Sequence, residues 1–221
     1  LLIGAVLLGF CGLSAAQDNP DIASQSGQNK VLQMVRTDTP PIIDGVMDEV
    51  WNTAMAIEDF HQLDPVEYAE PSEKTVMRVL YDDNFLYVSG MMHYNDLSTI
   101  SAKKMIQGAN LRYEDKLRIY INPFNDGRNG YMFQTNPHGM RGQGIFENVR
   151  GVNRDWSGIW FAETGFTDYG WYGEIAIPFK SISFDPNSSS WGISFDRGLE
   201  SKAEDIAWTS YNRSVNPSNF G

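Results

Sequence analysis

Carboxylates gather in several short segments of this sequence, at Asp82-Asp83, Asp96, Glu114-Asp115 and Asp126. Calcium takes about 6–8 oxygen ligands from loops of this kind. None of the segments has EF-hand spacing, so a calcium site using Asp82, Asp83, Asp115 and Asp126 has to be assembled from several loops. Asp82 and Asp83 are more simply read as turn formers. A second group consists of amides and rings. Gln134 and Asn136 share a strand face opposite Phe133, which suits hydrogen bonding to hydroxyls and equally describes a solvated outer face. Tyr81 closes a strand, as a stacking platform or a packing residue. Trp156 follows Arg154-Asp155 in a loop and is the better candidate for an exposed contact, while Trp160 has no clear phase. Trp51, Trp171, Trp191 and Trp208 sit in the apolar phase of their segments and are expected in the core.

Catalytic signatures are weak by comparison. Glycosidases need two carboxylates facing each other across a cleft, and no acidic pair stands out here. His61, His93 and His138 show no zinc spacing. Nucleophile elbow, phosphate loop and dinucleotide fingerprint are all missing from the sequence. No activity is expected within this segment.

Composition narrows the setting. The formal net charge is −11 and the pI about 4.6, which argues against nucleic acid or anionic lipid as a partner. Leu1 to Leu13 is apolar apart from glycines and Cys11, and Ser14-Ala15-Ala16 follows. This reads as a secretory signal over residues 1–16, cleaved after Ala16, with its true start upstream. The apolar run is shorter than the roughly 20 residues a membrane helix needs. Lipidation at Cys11 is the lesser reading, because bulky Phe10 precedes it. Residues 17–30 are polar and read as a linker. The mature chain then has no cysteine, so a hydrophobic core and not disulfides must hold residues 31–221 together as one domain.

The elements that must position these groups are strands. Leu117, Ile119 and Ile121 alternate with Lys116, Arg118 and Tyr120, a half-buried strand with a polar face. Trp191, Ile193 and Phe195 repeat the pattern, as do Trp171, Gly173, Ile175 and Ile177 up to Pro178. Thr75 to Tyr81 and Phe85 to Tyr94 flank Asp82-Asp83-Asn84 and predict a hairpin. Further strands are expected at Ile57–Gln62, Tyr131–Asn136, Gly144–Val149, Ile159–Gly165 and Ile206–Asn212, and short helices at Met47–Ala54 and Thr99–Gln107. The fold class is all-β, an antiparallel jelly-roll-like sandwich with one or two short helices.

Five segments in order add a family resemblance. They are Pro41 to Trp51 (PIIDGVMDEVW), Leu80 to Val88 (LYDDNFLYV), Glu114 to Ile121 (EDKLRIYI), Gly170 to Phe179 (GWYGEIAIPF) and Trp191 to Phe195 (WGISF). Together they resemble family 9 carbohydrate-binding modules. Phe124 to Tyr131, Phe133 to Gly139 and Asp155 to Trp160 resemble a branch found as the exported N-terminal domain of bacterial outer-membrane proteins. In that branch a β-barrel is predicted to follow. The resemblance implies a sandwich that binds poly- or oligosaccharide, often with calcium and often attached to carbohydrate-degrading enzymes. Rings stack on the apolar face of a sugar while amide, Arg and carboxylate groups hold its hydroxyls. On this reading Tyr81, Gln134, Asn136, Trp156, Trp160 and Arg118 are sugar contacts. The family's two-ring clamp falls on Tyr81 and, by spacing from Phe220, on Ser214, so half of it is missing. Three roles follow: a non-catalytic binding module of an exported protein, a structural or interaction domain before a barrel, or an accessory domain of a glycoside hydrolase. The expected location is periplasmic, outer-membrane-associated or secreted.

Overall fold

The computed structural model describes residues 30–209 apart from 109 and 148–150. The signal and linker expectations, the end of the Ile206–Asn212 strand, part of Gly144–Val149, Ser214 and Phe220 lie outside the described residues.

Alternating apolar residues build two packed sheets. The strands in chain order are β1 (Val35–Arg36), β2 (His61–Asp64), β3 (Thr75–Tyr81), β4 (Phe85–His93), β5 (Lys116–Asn122) and β6 (Gly130–Thr135). β7 (Arg141–Phe146), β8 (Val152–Asn153), β9 (Phe161–Thr167), β10 (Gly170–Pro178), β11 (Gly192–Leu199) and β12 (Glu204–Ala207) follow. One sheet has the order β1-β3-β4-β10-β9 and the other β2-β12-β11-β5-β6-β7-β8. All named pairs are antiparallel except β1 with β3. The expected β-sandwich is therefore what forms, with the β3–β4 hairpin in place.

Met77, Val79, Val88, Trp171 and Ile175 from the five-stranded sheet meet Leu117, Ile119, Phe133, Phe195 and Ile206 from the other in one core. Trp51, Trp171 and Trp208 are buried as expected, while Trp191 is half-buried against the core. Arg197 is the polar clasp within this core. Its guanidinium donates to the Lys74 carbonyl and Thr75 hydroxyl (2.9 and 2.8 Å) and to the His93 carbonyl (2.7 Å). It also lies 4.6 Å from the Tyr94 ring centre. A buried cation is tolerable only when its donors are used in this way.

Three local expectations change. The Ile57–Gln62 strand is reduced to a bridge between Ile57 and Met77, and β2 begins only at His61, because the chain crosses between sheets at this point. Thr99–Gln107 is not a helix. The backbone N–H of Ser101 is taken by the Asp115 carboxylate, and those of Lys103 and Lys104 by Glu114, so they are unavailable for a helical ladder. The Met47–Ala54 helix shrinks to one 3-10 turn, Glu49–Thr53. That turn drops Trp51 onto the outer side of the five-stranded sheet beside Leu80, Tyr87 and Tyr172. Glu174 fixes it there by accepting from Trp51 Nε1 at 2.8 Å and from the Gly45 N–H at 3.0 Å.

Candidate functional site

Strand alternation that buries Leu117, Ile119 and Ile121 must turn Lys116, Arg118 and Tyr120 onto the outer face of the seven-stranded sheet. Strand register then decides their neighbours. Arg118 stands opposite Asp196 on β11 and opposite Gln134 on β6, while Tyr120 stands opposite Ser194 and Met132. The Arg118 Nε donates to Asp196 Oδ1 at 2.6 Å, and Nη2 reaches Asp205 Oδ1 at 3.3 Å. Asp205 belongs to β12, so one guanidinium ties three strands together. Its side chain is 21% exposed and that of Asp196 only 2%.

This pair carries shifted protonation equilibria. Burial, together with the neighbouring Asp205 carboxylate, pushes the Asp196 carboxyl up to about 6 against the pull of Arg118. For Arg118, burial works to lower the pKa, but the charges of Asp196 and its neighbours outweigh it and hold the guanidinium above its ordinary value. Burial also pushes the Tyr120 phenol up to about 12. Beside this polar centre, Tyr120, Met132 and Phe146 form an apolar cluster with Val152. Glycines leave room for side chains to lie across the sheet. A Cβ at Gly142 would sit 2.5 Å from Gln134 Nε2, and one at Gly198 would sit 2.7 Å from Lys116 Nζ. Where β5, β11 and β12 end, the face opens into a cleft of about 360 Å³. Rings, an amide, a guanidinium and carboxylates thus converge on one largely desolvated face, the mixture that recognises a molecule with both apolar faces and hydroxyls.

Of the residues singled out from sequence, Arg118 and Gln134 meet on this face. The others are placed elsewhere. Asn136 is fully buried: its amide donates to the Lys104 carbonyl and Glu114, and its oxygen accepts from the N–H groups of His138 and Met140. Trp160 is 3% exposed, with its Nε1 donating to Gln143. Trp156 and Trp160 both pack against Phe133, with ring centres 6.0 and 5.2 Å away. These two rings therefore support the wall of the core on the inner side of β6. Tyr81 is half-buried at the end of β3, in the opposite sheet, and packs against the inter-sheet core.

The four aspartates considered for calcium are engaged separately. Asp82 accepts from Asn84 N, Phe85 N and the Tyr87 hydroxyl. Burial works against its charged form, yet these donors hold its pKa below the usual value. Asp83 pairs with Arg36 at 3.0 Å. Asp126 caps the Arg128 and Asn129 N–H groups. Asp115 accepts from Tyr94 Oη, Ser101 N and Glu200 N (2.7, 2.9 and 2.7 Å). Among the described residues no three His, Cys, Asp or Glu side chains are grouped to hold a metal ion.

The profile of the carbohydrate family 9 binding domain-like family matches residues 43–221. The chain belongs to this family. Solved structures agree on the fold. A family 9 module from Caldicellulosiruptor kristjanssonii in complex with cellotriose is 18% identical, with a TM-score of 0.58, covering 86% of this chain and 91% of that one. The same organism's module in complex with glucose gives 18%, 0.57, 86% and 93%. A candidate carbohydrate-binding protein from Bacteroides uniformis is 13% identical, with a TM-score of 0.61, covering 86% of this chain and 95% of that one. No curated protein matches this chain. Asp196, Asp205 and Tyr120 escaped the sequence reading of this family 9-like domain. Asp196 and Tyr120 already stood in the polar phase of their strands, but only the strand register shows that they surround Arg118.

Proposed function

We propose that this domain is a non-catalytic carbohydrate-binding module whose site is the outer face of the seven-stranded sheet, centred on Arg118 and Gln134. The observation that carries the reading is the register. It sets a guanidinium between a carboxylate and an amide, next to Tyr120, in positions fixed before any ligand arrives. Such preorganised groups lose little freedom on binding, so each hydrogen bond to a hydroxyl contributes more of its strength. Tyr120 and Phe146 are buried beside these polar groups and hold the apolar side of the face in place. Family membership supports sugar as the ligand class, and the cellotriose and glucose complexes of structural neighbours suggest the first probes.

Calorimetry with glucose, cellotriose and a wider panel of neutral sugars tests this. Wild-type protein is expected to bind at least one of them. Gln134→Ala should weaken binding about five- to tenfold, the loss of one to two hydrogen bonds, and should also lower the melting temperature, because the amide is only 2% exposed. A panel that binds nothing, or a Gln134→Ala variant that binds as the wild type does, contradicts the proposal. The wider setting is also proposed: export to the periplasm or beyond, beside polysaccharide-degrading machinery and ahead of an outer-membrane barrel. The apolar N-terminal segment and the acidic composition support export. Calcium remains a proposal for that setting, tested by titrating the ion with and without sugar.

A further inference from the structure

One end of the sandwich presents apolar side chains on separate loop tips. The segment from Ser101 to Gly108 is pinned on both sides of its tip. Glu114 accepts from the Lys103 and Lys104 N–H groups (2.7 and 3.1 Å), and the Asn136 amide donates to the Lys104 carbonyl at 3.0 Å. Beyond the tip, the Gly108 N–H donates to the Arg141 carbonyl at 3.1 Å. Met105 and Ile106 stand between these anchors, 71% and 76% exposed. Tyr113, next to Glu114 in the chain, is also exposed. The β9–β10 turn lies at the same end. Phe166 packs on His138 of the β6–β7 turn with ring centres 5.9 Å apart, and Gln107 donates to the Gly139 carbonyl of that turn at 3.3 Å. Phe166 and its neighbour Tyr169 are exposed as well.

Lys103 and Lys104 directly precede this apolar tip. Both are exposed, and neither makes an ion pair among the described residues. The carboxylates of Glu114 and Asp115 cannot neutralise them from solvent, because they are buried and taken up by backbone N–H groups. Asp96 and Asp168 are exposed and oppose the lysines, so attraction to an anionic surface is modest and sensitive to salt. The formal net charge of −11 repels such a surface at a distance. Screening confines that repulsion to roughly 8 Å at physiological ionic strength, so the charges at the point of contact decide.

We propose that this end of the domain docks on a phospholipid bilayer containing anionic lipid, inserting Met105 and Ile106 and placing Lys103 and Lys104 among the headgroups. Apolar side chains flanked by lysines suit the boundary between acyl chains and headgroups, and exposed tyrosines such as Tyr113 and Tyr169 suit the headgroup level. Side chains on separate tips favour lipid, which admits each one independently, over a protein partner, which needs one well-packed complementary patch. The pinned loop holds its tip outward before contact, so little freedom is lost on docking.

The test uses the full chain with labelled Met and Ile methyl groups and nanodiscs of phosphatidylethanolamine and phosphatidylglycerol carrying a spin-labelled lipid. The apolar residues 1–13 can bind lipid themselves, so a readout at single residues is needed. Signals of Met105 and Ile106 should be lost, while that of Met55, which is also exposed but lies beyond the Glu49–Thr53 turn, should persist. Lys103→Gln with Lys104→Gln should weaken docking about tenfold or more and restore the Met105 signal, as should phosphatidylcholine in place of phosphatidylglycerol. Both lysines are exposed, so the melting temperature should not change. Persistence of the Met105 signal in wild type, equal loss at Met55, or equal loss on uncharged discs overturns the proposal. A Met105 shift that varies with protein concentration without lipid would mark a second copy as the occupant, and overturns it too.

Discussion

At the scale of single residues the account turns on Asp196 and Asp115, two buried carboxylates with different duties. The Asp196 carboxyl is raised to about 6 from an ordinary 3.8, so the folded protein holds this proton more tightly than the unfolded chain does. Its contribution is fully present below the unfolded value and is lost as pH rises through 6, a change on the order of 2–3 kcal/mol. Relative to wild type, Asp196→Asn should therefore gain stability between pH 4 and 7, measured by denaturant unfolding at each pH. Parallel curves for the two proteins would contradict this. Asp115 instead stays bonded to Tyr94, Ser101 and Glu200, and the Tyr94 phenol is pushed up to about 12, chiefly by burial. Asp115→Ala should cost about 3 kcal/mol or more, because three buried donors lose their acceptor. Added calcium should not restore the loss. The turn-forming role of Asp82 was legible from its neighbours in sequence. The role of Asp115 was not, because its partners are 14, 21 and 85 positions away.

At the scale of elements, the sequence pattern predicted β3, β4, β5 and β10 almost to the residue and the first part of β11, although β3, β4 and β10 bury both of their faces. It failed where a segment changes sheets, as at Ile57, and where side chains from afar capture backbone donors, as at Lys103 and Lys104. The Pro41 to Trp51 signature has a structural meaning of the same kind. Gly45 adopts φ of 82°, and a Cβ there would sit 2.6 Å from the Thr164 carbonyl oxygen. The turn thereby lets its N–H reach Glu174 while Trp51 fills the outer cluster. Gly45→Ala is expected to destabilise by about 1–3 kcal/mol through strain and clash. Trp51→Ala is expected to cost about 3–5 kcal/mol. Urea unfolding of both variants checks the order, and a Gly45→Ala variant as stable as wild type would remove the turn's assigned role.

Across the whole molecule, one core joins two sheets and leaves a polar outer face on one of them. Fold class and family followed from motifs spread along the chain, each of which marks a strand or turn. Of the residues singled out from sequence, Arg118 and Gln134 are neighbours on the proposed face, while Trp156, Trp160 and Asn136 pack around β6. Sequence phase cannot separate an exposed ring from one packed on a neighbouring strand, because that depends on which strands pair. Chemical-shift mapping of the labelled domain, titrated with glucose and then cellotriose, tests the central claim most directly. The account predicts that perturbed amides cluster on β5, β6, β11 and β12 around Arg118, Gln134 and Asp196. Perturbations confined to the β3–β4 turn near Tyr81, or none with any sugar, would contradict it.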